Sequence, residues 1–377
     1  MTHYFVTGAT GVVGSSLVPV LLRSPDARLT LLVRAANESE LQARLGRLFD
    51  FWKLTADPDQ RARVTAVAGD TTLPQFGLPT PTYRELAASC THIVHAAGLV
   101  RMNLPLEEAR RSAVGAARQV VAFARACGDL RKLDLVSTVG VGGRMAQAVP
   151  ERWLTEARSF HNTYEQAKAE AEDFLRDEVA RSPLPLTVHR PSMVVGDTRD
   201  GRIIGFQVFY HLCEFLSGRR TFGLYPDFGD TRLDIIGCDL VAEAIAAASG
   251  DDRTIGRILH LCSGPEEAIR LDDLKLVVRR VFSERGIDVP VDRTLPLSWY
   301  LRLLRLGAVV APPRLRGPLS TLPIFLDYLA DSHAFDDTNF LASLAARRVT
   351  RPPPSSYVGR LLDYYLANRP RQSADTA

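Results

Sequence analysis

The chain has 377 residues and a mass of 41.5 kDa, which is long enough to bury a sizeable core and excludes a peptide or a disulfide-stapled miniprotein. Its 46 lysines and arginines against 43 aspartates and glutamates give a net charge of +3, too even for a dedicated nucleic-acid binder. A hydrophobic fraction of 46% and a charged fraction of 24% exclude wholesale disorder.

The first 196 residues alternate short β-rich runs with helical stretches, which predicts a parallel sheet covered by helices on both faces. The predicted strands are Tyr4–Thr7, Leu29–Val33, Val64–Ala68, His92–His95, Leu133–Ser137 and Leu186–Arg190, with Arg257–Cys262 returning to the sheet. The predicted helices are Val12–Arg23, Glu38–Phe51, Pro81–Ala88, Glu107–Cys127 and Tyr164–Glu178. The fold class is therefore α/β, a Rossmann-type doubly wound parallel sheet with a smaller, mostly helical C-terminal cap.

The pattern loosens beyond residue 197, where Gly, Asp and Pro interrupt the apolar runs. We therefore expect residues 1–196, joined by strand 257–262, to form the nucleotide-binding core. Residues 197–256 and 265–369 would form the substrate-binding cap, and residues 370–377 a flexible tail.

Five scattered cysteines have no metal-ligand spacing, so we expect buried thiols, no metal site and a reduced cytoplasmic protein. No run approaches the roughly 20 apolar residues of a transmembrane helix, and the start of the chain lacks the pattern of a secretory signal. These features predict a soluble protein.

A glycine-rich turn, TGATGVVG from Thr7 to Gly14, lies between the first strand and the first helix. Gly8 permits the tight turn, Gly11 lets the backbone approach a pyrophosphate, and Gly14 lets the helix pack closely on the strand. The helix N-terminus offers free N–H groups to that pyrophosphate. The residues expected to bind a dinucleotide here are Gly8, Thr10, Gly11, Val12, Val13 and Gly14.

The second strand is followed by Arg34, where an NAD-binding site carries an acidic residue for the ribose 2′-hydroxyl. A carboxylate would repel a 2′-phosphate, whereas an arginine pairs with it through several N–H donors. Arg44, on the next helix, is a second candidate partner, with a solvated helix face as the alternative interpretation. The sequence thus predicts NADP(H) rather than NAD(H).

Tyr164 and Lys168 stand four residues apart, which places both side chains on one helix face. A free tyrosine has a pKa near 10, and we expect the neighbouring ammonium to lower the pKa of Tyr164 so that it acts as a general acid or base. Ser137 and Thr138 stand at the carboxyl end of a predicted strand, where sheets of this kind bind ligands.

These motifs, in this order, resemble those of the extended short-chain dehydrogenase/reductases. The shared motifs are the glycine-rich turn, His95–Gly98 (HAAG), Ser137-Thr138, Tyr164-x-x-x-Lys168 and Arg190-Pro191-Ser192. The resemblance implies a catalytic trio of Thr138, Tyr164 and Lys168, with Ser137 as the alternative hydroxyl. It also implies cofactor contacts from Asp70, Thr71, Ala97, Gly98, Lys168, Pro191, Ser192 and Met193. The chain departs from the family at Ser112, where the family has an asparagine, so a relay through that helix is not implied.

Shorter segments resemble the male sterility branch, which contains fatty acyl-CoA reductases and carrier-protein thioester reductases. They are Leu32–Ala35, Gly69–Thr72, Leu233–Ile236, Asp239–Ala244 and Phe335–Asn339. The resemblance implies an NADPH-dependent reductase that converts an acyl thioester to an aldehyde or alcohol. The alternatives are a reductase or dehydrogenase of a free aldehyde, ketone or hydroxysteroid-like alcohol, and a non-enzymatic NADP-binding regulator.

The chain starts at the first predicted strand, so we expect the acyl group to arrive on CoA or on a separate carrier protein. The stretch Trp299–Leu306 is apolar with interspersed arginines, and three interpretations stay open: an ordinary cap helix, a wall for an acyl chain, and a peripheral membrane contact. The aromatic stretch Phe206–Phe215 is expected near the substrate, whereas His161 and His211 are expected to be structural or rim residues.

Overall fold

The computed structural model describes residues 1–310, 334–346 and 349–369, with side chains up to residue 303 in the first range. The predicted tail 370–377 lies outside the described residues, as does the segment 311–333 of the predicted cap.

A seven-stranded parallel sheet forms the centre of the molecule. The strands in chain order are β1 (Thr2–Thr7), β2 (Ala27–Val33), β3 (Val64–Ala68), β4 (His92–His95), β5 (Lys132–Val136), β6 (Leu186–Pro191), β7 (Met193–Val195), β8 (Leu224–Pro226), β9 (Arg232–Leu233), β10 (Ile235–Gly237), β11 (Ile258–Leu261), β12 (Ile269–Arg270) and β13 (Arg293–Leu295). The order across the sheet is β11-β6-β5-β4-β1-β2-β3, which confirms the Rossmann-type prediction. Strands that follow β1 are added first on one side of it (β2, β3) and then on the other (β4, β5, β6), so the strand order reverses between β1 and β4. Sheets of this kind bind ligands in the crevice at the carboxyl ends of the strands at such a point.

Helices cover both faces of the sheet and build the cap. They are α1 (Val12–Leu21), α2 (Glu38–Trp52), α3 (Pro58–Arg61), α4 (Thr80–Ser89), α5 (Leu106–Arg110), α6 (Ala116–Ala126), α7 (Thr163–Arg181), α8 (Val208–Leu216), α9 (Cys238–Ser249), α10 (Leu271–Glu284), α11 (Leu297–Val310), α12 (Thr338–Ala346) and α13 (Val358–Asn368). Among the described residues, none of them combines the length and hydropathy that a membrane-spanning helix needs.

The predicted helix Glu107–Cys127 is wrong in one respect, because a π-helical turn at Arg111–Gly115 separates α5 from α6. This turn packs against α7 and contains Ser112, the residue at which the chain departs from its family. π turns inside helices are frequent at functional sites, and local propensity gives no signal for them.

Two helices begin at asparagine caps. Asn37 accepts a hydrogen bond from the N–H of Glu40 at 2.9 Å at the start of α2, and Asn162 accepts one from the N–H of Glu165 at 3.0 Å at the start of α7. A side-chain oxygen in this position satisfies one of the otherwise unpaired N–H groups of the first turn. The start of α7, which carries Tyr164, is therefore fixed by a local sequence signal.

Two helices from the ranges expected for the cap pack on the core of the sheet. Helix α9, within the predicted cap range 197–256, packs on α1 and buries Val241 and Ile245 in the same cluster as Leu17. Helix α12, within the predicted range 265–369, returns to the sheet beside β11 and buries Phe340. Both helices carry apolar faces that the parallel sheet needs as cover, so they belong to the core.

The remaining cap elements form a second hydrophobic cluster. Helices α8, α10 and α13 pack together, and the strand pairs β12–β9 and β13–β8 lie among the cap segments. The β10–β7 pair joins these segments to the core, because β7 directly follows β6. Phe209, Tyr225, Phe282 and Tyr357 are almost completely buried in this cluster. The cap therefore has a packed interior of its own and stands beside the carboxyl edge of the sheet.

Candidate active site

The glycine turn after β1 has the shape that a pyrophosphate site requires. Gly8 has a φ of +79°, and a Cβ there would lie 2.5 Å from the carbonyl carbon of Ala96. A Cβ on Gly14 would lie 2.2 Å from the carbonyl oxygen of Gly8, so neither position accepts a larger residue. Gly11 precedes α1 without a side-chain cap, which leaves the first N–H groups of that helix for a ligand. These residues fit a dinucleotide.

A cleft of about 190 Å³ opens beside this turn, at the carboxyl edge of the sheet. It brings together many of the residues predicted from the sequence: Gly11, Val12, Val13, Ala97, Gly98, Thr138, Tyr164, Lys168, Pro191, Ser192 and Met193. Gly8, Thr10 and Gly14 belong to the turn itself without lining the cleft, and Arg34, Arg44, Asp70 and Thr71 follow β2 and β3 outside it. One connected site thus holds the glycine turn and the predicted trio.

The predicted trio meets inside the cleft. Thr138 caps a short 3₁₀ turn, Val139–Gly142, by accepting the N–H of Gly140 at 3.1 Å, and its side chain acts on Tyr164 in the direction that lowers the pKa of the phenol. The Nζ of Lys168 donates to the carbonyl oxygen of Val136, at the end of β5, at 3.1 Å. Strand β5 and helix α7 therefore hold the three side chains against each other.

Ser137 and Thr138 face different partners. The Ser137 hydroxyl donates to Oε1 of Glu172 at 2.5 Å, and the side chain is almost fully buried. Successive residues of an extended segment point to opposite sides, so only one of the two can face Tyr164. The hydrogen-bond pattern favours Thr138 as the hydroxyl of the trio.

The expectation of a lowered pKa for Tyr164 is wrong. Burial raises the pKa of Tyr164 to about 12, and the Glu165 charge acts in the same direction, while the hydrogen bond with Thr138 acts against both. Burial also lowers the pKa of Lys168 to about 8, against the opposite effect of the Glu172 charge. At neutral pH the phenol is protonated and the lysine is charged, which is the combination that a proton donor beside a carbonyl oxygen needs.

The two arginines expected at the cofactor's 2′ position differ in their surroundings. Arg44 donates to Glu40 through Nη2 at 2.6 Å and Nε at 3.0 Å, and Glu40 also accepts the N–H of Ala36. These hydrogen bonds lower the pKa of Glu40 and engage Arg44 in a local pair. Arg34 is exposed and has no hydrogen-bond or ion-pair partner in the described part of the chain.

The segment Pro191–Met193 is anchored from the cap. Its Met193 pairs with Ile235 in the short β7–β10 ladder. The adjacent Asp234 is 8% exposed and accepts the N–H groups of Ser263 at 2.8 Å and Gly264 at 2.9 Å. Burial raises the pKa of this carboxyl group. The segment Pro191–Met193, expected near the nicotinamide, therefore pairs with a strand that directly follows a buried and hydrogen-bonded carboxylate.

Sequence reasoning missed several side chains of the cleft. They are Val100, Met102, Asn162 and Glu165. Gln207, Val208 and Phe209 also line the cleft, and they belong to the stretch Phe206–Phe215 that was expected near the substrate. An asparagine followed three residues later by a glutamate is a helix-start signal that could have drawn attention to Asn162 and Glu165. His161 has a fully buried side chain that contacts Glu165, whereas His211 is exposed.

A comparison with protein-family models decides the family. Residues 6–245 match the model described as male sterility protein, an NAD-binding family. The chain belongs to this family. It is thus an extended short-chain dehydrogenase/reductase, an oxidoreductase that depends on a nicotinamide cofactor, as the sequence motifs implied.

Curated relatives of this family member are much longer proteins. The chain is 32% identical over 200 residues, 52% of its length, to an isonitrile lipopeptide synthase from Streptomyces coeruleorubidus. It is 28% identical over 275 residues, 71% of its length, to a linear gramicidin synthase from Brevibacillus parabrevis. The chain spans only 13% and 5% of these two proteins.

Among solved structures, the terminal R domain from the myxalamid PKS-NRPS biosynthetic pathway is similar over nearly its whole length. The TM-score is 0.79 at 26% identity, and the match covers 97% of this chain and 91% of that one. The similarity extends over core and cap together, so the cap is part of the shared architecture.

Proposed function

We propose that this oxidoreductase uses NADPH to reduce an acyl thioester to an aldehyde or an alcohol. The observation that supports the proposal is the meeting of Thr138, Tyr164 and Lys168 in one cleft that adjoins the glycine turn. The names of the relatives add support, because they are synthases and a terminal R domain of an assembly pathway. Two hydroxyl donors at one point suit a carbonyl oxygen on which charge develops.

The chain's own residues have distinct tasks in this reaction. The hydroxyls of Thr138 and Tyr164 donate hydrogen bonds to the carbonyl oxygen of the thioester, and Tyr164, with its pKa near 12, supplies the proton. Lys168 binds the ribose of the nucleotide. NADPH, when bound there, would supply the hydride that the carbonyl carbon accepts. In balance, one thioester, one NADPH and one proton give one aldehyde, one thiol and NADP⁺, and a second reduction gives the alcohol.

In this proposal the acyl group is presented on CoA or on a carrier protein. The test is consumption of NADPH with acyl-CoA, acyl-pantetheine and acyl-carrier thioesters, run beside free aldehydes, ketones and hydroxysteroids. Turnover of thioesters with release of the free thiol supports the proposal. Turnover of free carbonyl compounds alone would replace it with the alternative activity.

The preference for NADPH rests on Arg34. A charge-assisted pair with the 2′-phosphate contributes roughly 1.5–3 kcal/mol, which corresponds to about 10–100-fold in affinity. We expect Arg34→Asp to weaken NADPH binding by about this factor, with NADH binding unchanged or improved, in calorimetric titrations of both nucleotides. Arg28→Asp is the matched control, because Arg28 is an exposed arginine near the other end of the same strand. Equal affinities of the wild-type protein for NADH and NADPH would contradict the assignment.

A further inference from the structure

A buried ion pair lies behind the trio. Arg190, at the end of β6, is fully buried and holds the carboxylate of Glu172 through Nη2 at 2.5 Å and Nε at 3.0 Å. Its remaining donors reach the carbonyl oxygens of Pro150 and Arg152 and the ring of His260. All five N–H groups of the guanidinium are thus used, so the position of Glu172 is defined by β6 and its surroundings.

The same carboxylate is tied to both elements of the trio. Glu172 stands four residues beyond Lys168 and eight beyond Tyr164, on the same face of α7. It also accepts the Ser137 hydroxyl at 2.5 Å, at the residue that directly precedes Thr138. Glu172 therefore links the end of β5 to the face of α7 that carries Tyr164 and Lys168.

Glu172 is also the negative charge that acts on Lys168. The described titratable groups around the lysine are Tyr164 and Glu172 on α7 and His95 on β4. Burial lowers the pKa of His95 to about 3 and raises the pKa of Tyr164 to about 12, so both are neutral at pH 7. Glu172 thus opposes the burial that lowers the pKa of Lys168 to about 8.

We propose that Glu172, clamped by Arg190, is a positioning residue that fixes a carboxylate one helical turn behind Lys168 and holds the Thr138 segment against α7. The proposal rests on the proposed function for the catalytic task of Lys168. The charge state of the lysine can be measured without any substrate.

The sequence makes this measurement practical, because it contains only four lysines: Lys53, Lys132, Lys168 and Lys275. Protein labelled with ¹³C at the lysine Cε carbon gives four signals, each assigned by a lysine-to-arginine variant. In wild type the Lys168 signal is expected to titrate with a pKa of about 8. In Glu172→Gln it should titrate at least about one pH unit lower, since an opposite charge close to the group is lost.

Glu170→Gln is the matched control. Glu170 lies on the same helix and is held by an arginine in the same two-point manner, by Arg110 at 2.6 and 2.8 Å, without acting on Lys168. We expect this variant to leave the Lys168 titration unchanged. Ser137→Ala, which removes the hydrogen bond but keeps the charge, should also leave it unchanged.

Loss of one partner of a buried ion pair costs about 3–5 kcal/mol, so Glu172→Gln can fail to fold. The double variant Glu172→Met/Arg190→Met replaces the pair by apolar side chains, which buried sites tolerate better. Because the positive charge of Arg190 is removed as well, the pKa of Lys168 should fall by less than in Glu172→Gln but should stay below the wild-type value. A wild-type titration of Lys168 in either variant, or an equal shift in Glu170→Gln, overturns the proposal. Failure of the proposed function would instead appear as absent thioester turnover with the lysine titration as expected.

Discussion

At the scale of single residues, the two adjacent hydroxyls after β5 carry different tasks because they have different partners. Ser137 donates to the Glu172 carboxylate at 2.5 Å and is almost fully buried. Both residues line the cleft, and Thr138 is the one of the two whose side chain acts on the pKa of Tyr164. The sequence could place both hydroxyls at the edge of the sheet, but the choice between them depends on a carboxylate 35 positions away.

We expect Thr138→Val to lower kcat by on the order of 10²-fold or more, because removal of one donor to a developing oxyanion has an effect of that size. Ser137→Ala is the comparison and should lower kcat less than Thr138→Val, because it removes a hydrogen bond that positions the Thr138 segment and not a donor to the oxyanion. Steady-state NADPH oxidation with a saturating thioester gives both values. The assignment fails when Ser137→Ala is the more damaging change in a folded protein.

At the scale of elements, the carboxylate of Glu151 joins three segments that are distant in the sequence. Glu151 accepts the N–H of His260 in β11 at 2.6 Å and the N–H of Asn339 in α12 at 2.5 Å. Val149 and Phe335 form a parallel bridge beside it. The segment Phe335–Asn339, which resembles acyl reductases, therefore docks the C-terminal part of the chain onto the edge of the sheet.

The burial of the Glu151 carboxyl group predicts that the stability of the protein depends on pH. Burial raises the pKa of Glu151 from 4.5 to about 7. A group with a folded-state pKa above its unfolded value contributes stability that is complete below pH 4.5 and is lost as the pH rises through 7. The unfolding free energy of wild type relative to Glu151→Gln should therefore fall over this range, as measured by urea unfolding at several pH values.

Glu156→Gln serves as the control for this series. Glu156 lies in the same loop but is exposed and paired with Arg152, and that hydrogen bond lowers its pKa to about 2. Relative to Glu156→Gln, wild type should show no such fall between pH 4.5 and 7. A stability difference between wild type and Glu151→Gln that does not change with pH would contradict the assigned titration.

At the scale of the whole molecule, the predictable features are those written in short stretches of sequence. The strands of the sheet, the glycine turn and the Tyr164–Lys168 pair each depend on local periodicity or spacing. The packing of α9 on α1, the π turn before α6 and the Arg190–Glu172 clamp depend on contacts between distant residues. Local patterns carry no information about such contacts. Prediction from the sequence therefore assigned α9 to the cap and gave Tyr164 a lowered pKa.

The proposed thioester reduction is tested most directly by tracing the hydride. The protein is incubated with an acyl-CoA or acyl-pantetheine and NADPH deuterated at C4, each stereoisomer in turn, and the products are analysed by mass spectrometry. One stereoisomer should transfer one deuterium per reduction to the former carbonyl carbon, with one equivalent of free thiol released per thioester consumed. Recovery of intact thioester, with deuterium transferred only to added ketones or aldehydes, would contradict the proposal.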